Sequence, residues 1–229
     1  GQTLTITGLT GTFDNKNAGT GKTVTINSTN AQVTAGADTD ASNYSITYPA
    51  TATGDITAKT LNAVVSAADK VYDGTTTAEV TATVETRIGE ETLTITGLTG
   101  SFADQNVGTD NNVSIDSTGA SVQAGAGTSA DNYTVVYPAA STASITARPV
   151  TLTWSSADLT YTGSEQEVTA EVSNKASGAD SFTITYTNNK KTAVGEYTAT
   201  VTDLGNSNYT LTGAEGITKD WSISYLVTD

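Results

Sequence analysis

Apolar and polar residues alternate along most of this chain, and the 3.6-residue spacing of amphipathic helices is almost absent. In Leu93-Thr94-Ile95-Thr96, Leu and Ile share one face and the threonines the other. Tyr133, Val135 and Tyr137 line one face of their run, and Phe182, Ile184 and Tyr186 do the same further on. β-Branched and aromatic residues suit such a pleated, half-buried surface. Between the runs lie turn formers such as Asp73-Gly74, Gly125-Ala126-Gly127 and Asn188-Asn189. The pattern predicts strands near 61–67, 78–86, 92–97, 112–116, 120–124, 132–137 and 142–147. A single short helix is expected over 101–107, with Ser101 capping and Phe102 anchoring it. The fold class read from this is all-β: tandem small β-sandwiches of immunoglobulin-like size, or β-grasp-like modules, in an elongated array.

The pattern repeats. Leu4-Thr5-Ile6-Thr7-Gly8-Leu9-Thr10-Gly11 returns as Leu93 to Gly100, and 93 minus 4 is 89. Phe13 and Phe102, Gly19 and Gly108, Ile26 and Ile115, and Ile56 and Ile145 keep the same spacing. A looser copy follows, with Tyr72-Asp73-Gly74 answered by Tyr161-Thr162-Gly163. Fixed self-similarity marks a tandem array of one structural unit. The expected units are a truncated copy at 1–59, a complete one at 60–148 and a diverged one at 149–229. Their junctions, Ile56 to Leu61 and Ile145 to Val150, hold no Gly/Ser tether, so little flexing is expected; Pro149 favours an extended link. The truncated copy is expected to expose a strand edge open to pairing, in an otherwise monomeric chain.

Charge narrows the partners. Of 229 residues, 24 are acidic and 10 basic, giving a net charge of −14. That opposes binding to nucleic acid or to an anionic membrane surface. Cys, Met and His are all absent, so no disulfide reinforces the thin core.

Candidate chemistry is sparse. In Lys70-Val71-Tyr72-Asp73-Gly74-Thr75, Gly74 permits positive φ and Asp73 can bond back to the backbone, which reads as a tight turn with Tyr72 at the core edge. The third copy keeps Tyr161 and Gly163 but has lost the carboxylate, which argues against a catalytic aspartate. Asn43-Tyr44-Ser45, Asn132-Tyr133-Thr134 and Asn208-Tyr209-Thr210 fit the N-glycosylation pattern, but read better as turn-to-strand starts with Tyr in the core. Glu85, Glu90 and Glu91, or Asp38 with Asp40, are the nearest thing to paired acids; nothing around them suggests a cleft, and no enzyme is expected. No cofactor is implied. Calcium is the one cation the composition would suit, with Asp38, Asp40 and Asp69 as donors by composition only. An internal Lys–Asn cross-link is not expected, because Lys70 aligns with Leu159 and Lys59 with Arg148.

Lys70 to Thr76, with Asn132-Tyr133-Thr134-Val135 and the closing Ile145-Thr146, resembles the YDG repeat of bacterial adhesin-like surface proteins. Leu159 to Gly163, Ile184 to Asn189, Val194 to Thr198 and Gly205 to Tyr209 are similar to the related MBG-type repeat. The resemblance implies a non-catalytic stalk or spacer in a large bacterial cell-surface or secreted adhesin, with neighbouring repeats of the same chain as its partners. The alternative is a module that binds a host or surface glycan or protein, through residues 149–229. Both tryptophans, Trp154 and Trp221, lie there. Trp154 aligns with Val65 and reads as core, which leaves Trp221 as the candidate ligand contact.

Overall fold

The computed structural model describes residues 1–85 and 88–226; its regular structure is strand, apart from single 3-10 turns at Ala41–Asn43 and Ala130–Asn132. The chain is all-β. Alternation is realised as expected in Lys59–Ala67, where Leu61, Ala63 and Val65 are buried and Asn62, Val64 and Ser66 are exposed. All seven expected strands have counterparts, at Lys59–Ala67, Val80–Val84, Leu93–Thr96, Gly108–Asp116, Ser121–Ala124, Tyr133–Val136 and Ala140–Thr146. The last residue of the expected 78–86 strand lies outside the described residues.

The helix expected over 101–107 does not form. Thr99–Phe102 is a strand antiparallel to Gly108–Asp116, with Phe102 opposite Val113. This strand sets Phe102 opposite Val113 and leaves the phenylalanine 2% exposed. Gly100 permits the close packing: a Cβ there would meet Val80 Cγ1 at 2.5 Å. Asp104 then accepts the Asn106 N–H at 2.7 Å and closes the hairpin loop as an Asx turn.

The chain divides into two compact units. The first comprises residues 1–64, 83–96 and 120–137. It holds the three-stranded sheet Thr10–Phe13, Gly19–Asn27, Thr51–Ile56, and two antiparallel pairs: Leu4–Thr7 with Gln32–Ala35, and Leu93–Thr96 with Ser121–Ala124. Tyr133–Val136 runs parallel to the start of Lys59–Ala67.

The second unit comprises residues 65–82, 97–119 and 138–229, of which 227–229 are not described. A five-stranded sheet is ordered Lys70–Val71, Ala140–Thr146, Gly108–Asp116, Thr99–Phe102, Thr77–Ala78. A four-stranded sheet is ordered Asp158–Thr160, Thr218–Ser224, Gly195–Asp203, Thr185–Thr187. Arg148–Trp154 lies between Ala170–Val172 and Tyr209–Glu215. One apolar cluster gathers Tyr72, Phe102, Val113, Ile145, Val150, Leu152 and Tyr209; a smaller one gathers Val168, Ala199, Trp221 and Ile223.

Strand register carries the repeat into three dimensions. Gly19 pairs with Ile56, Gly108 with Ile145 and Gly195 with Ile223. The third copy thus follows the other two at positions where its sequence has drifted. Coverage differs between copies. Phe13 is 37% exposed, whereas its counterpart Phe102 lies in a strand paired with Thr77–Ala78 and is 2% exposed.

Candidate functional site

The Tyr-Asp-Gly turn is built around one ammonium group. Lys70 Nζ donates to Asp73 Oδ1 at 2.8 Å, to the Thr75 carbonyl at 2.7 Å and to the Thr77 carbonyl at 2.9 Å. The same Asp73 oxygen accepts from the Thr75 N–H at 2.9 Å and its hydroxyl at 2.8 Å. Gly74 sits at φ +75, where an L side chain would be strained. Burial works against the Asp73 charge, but the Lys70 and Thr75 bonds outweigh it and hold the carboxyl below its usual range. Tyr72 is buried to 1% exposure. In the third copy Gly163 keeps positive φ, but Tyr161 is 38% exposed and rests edge-on against Tyr225.

The Asn-Tyr pairs do more than start strands. In the first unit the buried Asn132 carboxamide reaches back to the loop between Phe13 and Gly19. Its Oδ1 accepts the Ala18 N–H at 2.7 Å, and its Nδ2 donates to Asn17 Oδ1 at 3.2 Å. Tyr133, also buried, donates its hydroxyl to Glu91 Oε2 at 2.5 Å and accepts the Ile88 N–H at 3.1 Å. Lys16 closes the cluster through Glu91 Oε1 at 2.9 Å. The Tyr133 and Lys16 bonds hold the Glu91 carboxyl below its usual range; burial, then Glu91 itself, pushes the Tyr133 phenol up. The strand that follows pairs Tyr133 with Lys59 and Thr134 with Thr60.

The second unit contains the same joint one copy on. Asn208 Oδ1 accepts the Val107 N–H at 2.9 Å, and Asn208 Nδ2 donates to Asn106 Oδ1 at 2.7 Å. Ala18 and Val107 are 89 residues apart. Tyr209 donates its hydroxyl to Asp180 Oδ2 at 2.6 Å, and Arg148 pairs with Tyr209. Here the second carboxylate oxygen takes the Tyr72 hydroxyl at 2.9 Å, where Glu91 takes Lys16. The Tyr72 and Tyr209 rings meet edge to face at 5.5 Å. Burial raises the Tyr209 phenol to about 12, with Asp180 adding to the shift. Burial opposes the Asp180 charge, but the Tyr209, Ser177 and Tyr72 donors outweigh it and hold that carboxyl below its usual value.

Gln2, Glu91 and Asp180 stand 89 residues apart, each accepting a hydroxyl from the tyrosine of its own copy: Tyr44, Tyr133 and Tyr209. Sequence reasoning had placed Asn132 and Tyr133 as turn and core residues but missed their acceptors. The one trace in the sequence is that Asn17 and Asn106, and Glu91 and Asp180, occupy equivalent positions 89 residues apart. Asn132 is buried with its carboxamide engaged, and Asn208 is engaged too, so neither presents a free glycosylation acceptor.

The remaining candidates lie apart from this joint. Trp221 was the expected ligand contact; its ring is 2% exposed, packs at 5.1 Å from Tyr197 and donates Nε1–H to the Asn188 carbonyl at 3.1 Å. It faces the core because Ile223, two residues on, faces the same side of the strand. Trp154 is partly buried and bonded to the Gly216 carbonyl at 2.7 Å. An open hollow of about 560 Å³ beside Trp221 is lined by Asp158, Glu196 and Asp220. Asp158 and Asp220 accept hydroxyls from Ser222 and Thr198. Asp40 caps the turn at Ala41–Asn43 and Asp69 accepts the Ser144 N–H at 2.6 Å; Asp38 sits at φ +62. Glu85 and Glu90 are exposed. Among the described residues no three His, Cys, Asp or Glu side chains are grouped to hold a metal ion, and no helix is long and apolar enough to cross a membrane.

The YDG domain family profile matches residues 1–53 and 57–143. Comparisons with curated proteins and with solved structures returned no match.

Proposed function

This chain belongs to the YDG domain family, and on that premise we propose that it is a non-catalytic stalk or spacer segment of a large bacterial surface adhesin. The observation that carries the reading is the recurring joint, in which the Ala18 and Val107 N–H groups and the Glu91 and Asp180 acceptors each stand 89 residues apart. Its best-formed polar cluster, Asn132 with Glu91, Tyr133 and Lys16, ties one copy to the preceding one, as Asn208 with Asp180 and Tyr209 does again. Groups that bond to each other in this way supply stiffness between copies. The third copy, with its MBG-like motifs, joins through the same chemistry and extends the spacer.

The net charge of −14 fits a rod that must repel its neighbours on a crowded surface. The competing reading, a glycan- or protein-binding module at 149–229, loses its strongest support with the Trp221 ring in the core. Small-angle scattering of the chain, and of versions with added copies, tests the spacer. Maximum dimension is expected to grow linearly with copy number, and a compact particle overturns the reading. Antibodies against the chain should label intact producing cells; labelling only after lysis overturns the surface placement.

A further inference from the structure

The strand Gly19–Asn27 ends in a turn at Asn27-Ser28-Thr29, a stretch that also fits the N-glycosylation pattern. Asn27 Oδ1 accepts the Thr29 N–H at 2.9 Å, which makes an Asx turn, and the Ala31 N–H bonds to the Ser28 carbonyl at 3.0 Å. Asn27 and Thr29 are exposed. Among the described residues, neither Asn27 Nδ2 nor the Thr29 hydroxyl meets a hydrogen-bond partner. Main chain backs the turn closely: a Cβ on Gly8, at φ +76, would meet the Asn30 carbonyl oxygen at 2.1 Å.

The same turn closes the equivalent strand of the complete copy. Asp116-Ser117-Thr118 stands 89 residues after Asn27-Ser28-Thr29, and all three residues are exposed. Asp116 Oδ1 accepts the Thr118 N–H at 2.8 Å. Shape and exposure therefore belong to the repeat itself. The difference is chemical: Asn27 presents a carboxamide nitrogen where Asp116 presents a second carboxylate oxygen.

Four other stretches fit the pattern, led by Asn43, Asn112, Asn132 and Asn208. Asn132 and Asn208 already commit their Nδ2 groups to Asn17 and Asn106. Asn112 lies within Gly108–Asp116, which has a paired strand on each side, and the next residue, Val113, is fully buried. Asn43 ends the 3-10 turn Ala41–Asn43, and among the described residues no Asx bond joins it to the Ser45 N–H. Among the described residues, Asn27 alone joins an exposed, unengaged nitrogen to an Asx turn.

We propose that Asn27 is an N-glycosylation acceptor, its Nδ2 taking a sugar activated at the anomeric carbon by a pyrophosphate. In the transfer the bond from Nδ2 to that carbon forms as the carbon–oxygen bond to the pyrophosphate breaks. The pyrophosphate leaves with the electron pair, and one Nδ2 proton passes to a base of the transferase. As the nitrogen gives up its proton, negative charge develops on Oδ1, where the Thr29 N–H already points. The Thr29 hydroxyl stays open to the transferase, and a sugar carried here lies on the surface, where it adds bulk and solubility without displacing a packed side chain.

This assignment stands apart from the spacer reading: a bare Asn27 leaves the spacer intact, and a compact particle in scattering leaves the acceptor intact. Chain recovered from producing cells, read by peptide mass spectrometry with the site localised by fragmentation, should carry sugar on Asn27. A single hexose there marks a nucleotide-linked donor, and a preassembled oligosaccharide a lipid-linked one. In vitro, the folded chain with UDP-glucose and a soluble asparagine N-glucosyltransferase should gain a hexose on Asn27. The rate should be about thirtyfold higher than on Asn132, whose nitrogen is released only when its joint opens. Asn27→Asp should abolish the transfer and leave circular dichroism unchanged, since Asp116 already makes this turn. Thr29→Val should abolish it too, while keeping the N–H to Oδ1. Asp116→Asn completes the pattern with Ser117 and Thr118 and should add a second acceptor in the complete copy. A bare Asn27 in either sample, transfer to Asn132 at the same rate, or Asp116→Asn that gains no sugar overturns the proposal.

Discussion

Truncating the same asparagine in three copies should give three different answers. Asn132→Ala removes an acceptor 2.7 Å from the Ala18 N–H and a donor 3.2 Å from Asn17 Oδ1. Two such bonds contribute about 1 kcal/mol each, and the partly covered Ala18 N–H is left unpaired, so the expected loss is about 2–3 kcal/mol. Asn208→Ala removes two bonds of 2.9 and 2.7 Å, but Asn208 is only half-buried and water can replace part of the loss. Its cost should be about 1–2 kcal/mol. Asn43→Ala breaks no bond and should stay within about 0.5 kcal/mol of wild type. Urea denaturation followed by circular dichroism gives the global values. Amide exchange by NMR reads the joint directly: protection at Ala18 should fall about thirtyfold in Asn132→Ala, the equivalent of 2 kcal/mol. Equal losses for Asn43→Ala and Asn132→Ala, or unchanged protection at Ala18, would refute the claim that this carboxamide holds the joint.

Other perturbations have signs set by the same geometry. Gly74→Ala forces a Cβ into φ +75, 3.3 Å from Ser177 Cβ, and should cost about 1–2 kcal/mol in thermal unfolding. Asp180 and Glu91 have depressed carboxyl pKa values, so their contribution is complete above the ordinary carboxylate range and is lost as pH falls through the depressed values. Asp180→Asn should therefore flatten the decline of stability below about pH 4. The Tyr209 phenol, raised to about 12, contributes fully below its ordinary value of 10.0 and loses its effect as pH climbs through 12. Tyr209→Phe should shift the alkaline unfolding limb. Trp221→Ala should destabilise by about 3–5 kcal/mol, as removal of a core aromatic does, and Trp221 fluorescence in Trp154→Phe should resist acrylamide quenching.

Period-2 alternation was enough to place the strands, because Leu61, Ala63 and Val65 obey it without exception. It failed at 101–107, where Gly100 and the small Ser101 hid a strand whose face is set by the distant Val113. The Tyr-Asp-Gly turn was legible because it is local: Asp73, Gly74 and Thr75 bond within a few residues of one another. Its Lys70 hub was not singled out, since nothing in a Lys-Val-Tyr run says that the ammonium folds back over four acceptors. The joint was the least legible. Asn132 and Ala18 are 114 residues apart, and a main-chain N–H leaves no mark in the sequence. Trp221 looked like a binding residue only because tryptophan is rare here; the alternation that buries Ile223 had already buried it.

The asparagine of each finished joint bonds to peptide backbone, and this has a genetic corollary. Ala18 and Val107 differ, yet both offer the same N–H to the carboxamide facing them. Unequal crossover between near-identical stretches of a repetitive gene removes or inserts whole periods. After such an event every asparagine would still meet a peptide group in the right place, whatever side chain it carried. Loss or gain of one 89-residue period therefore preserves the main-chain half of each joint, while its side-chain half, Asn17 or Asn106 with Lys16 or Tyr72, has to be matched at the new seam.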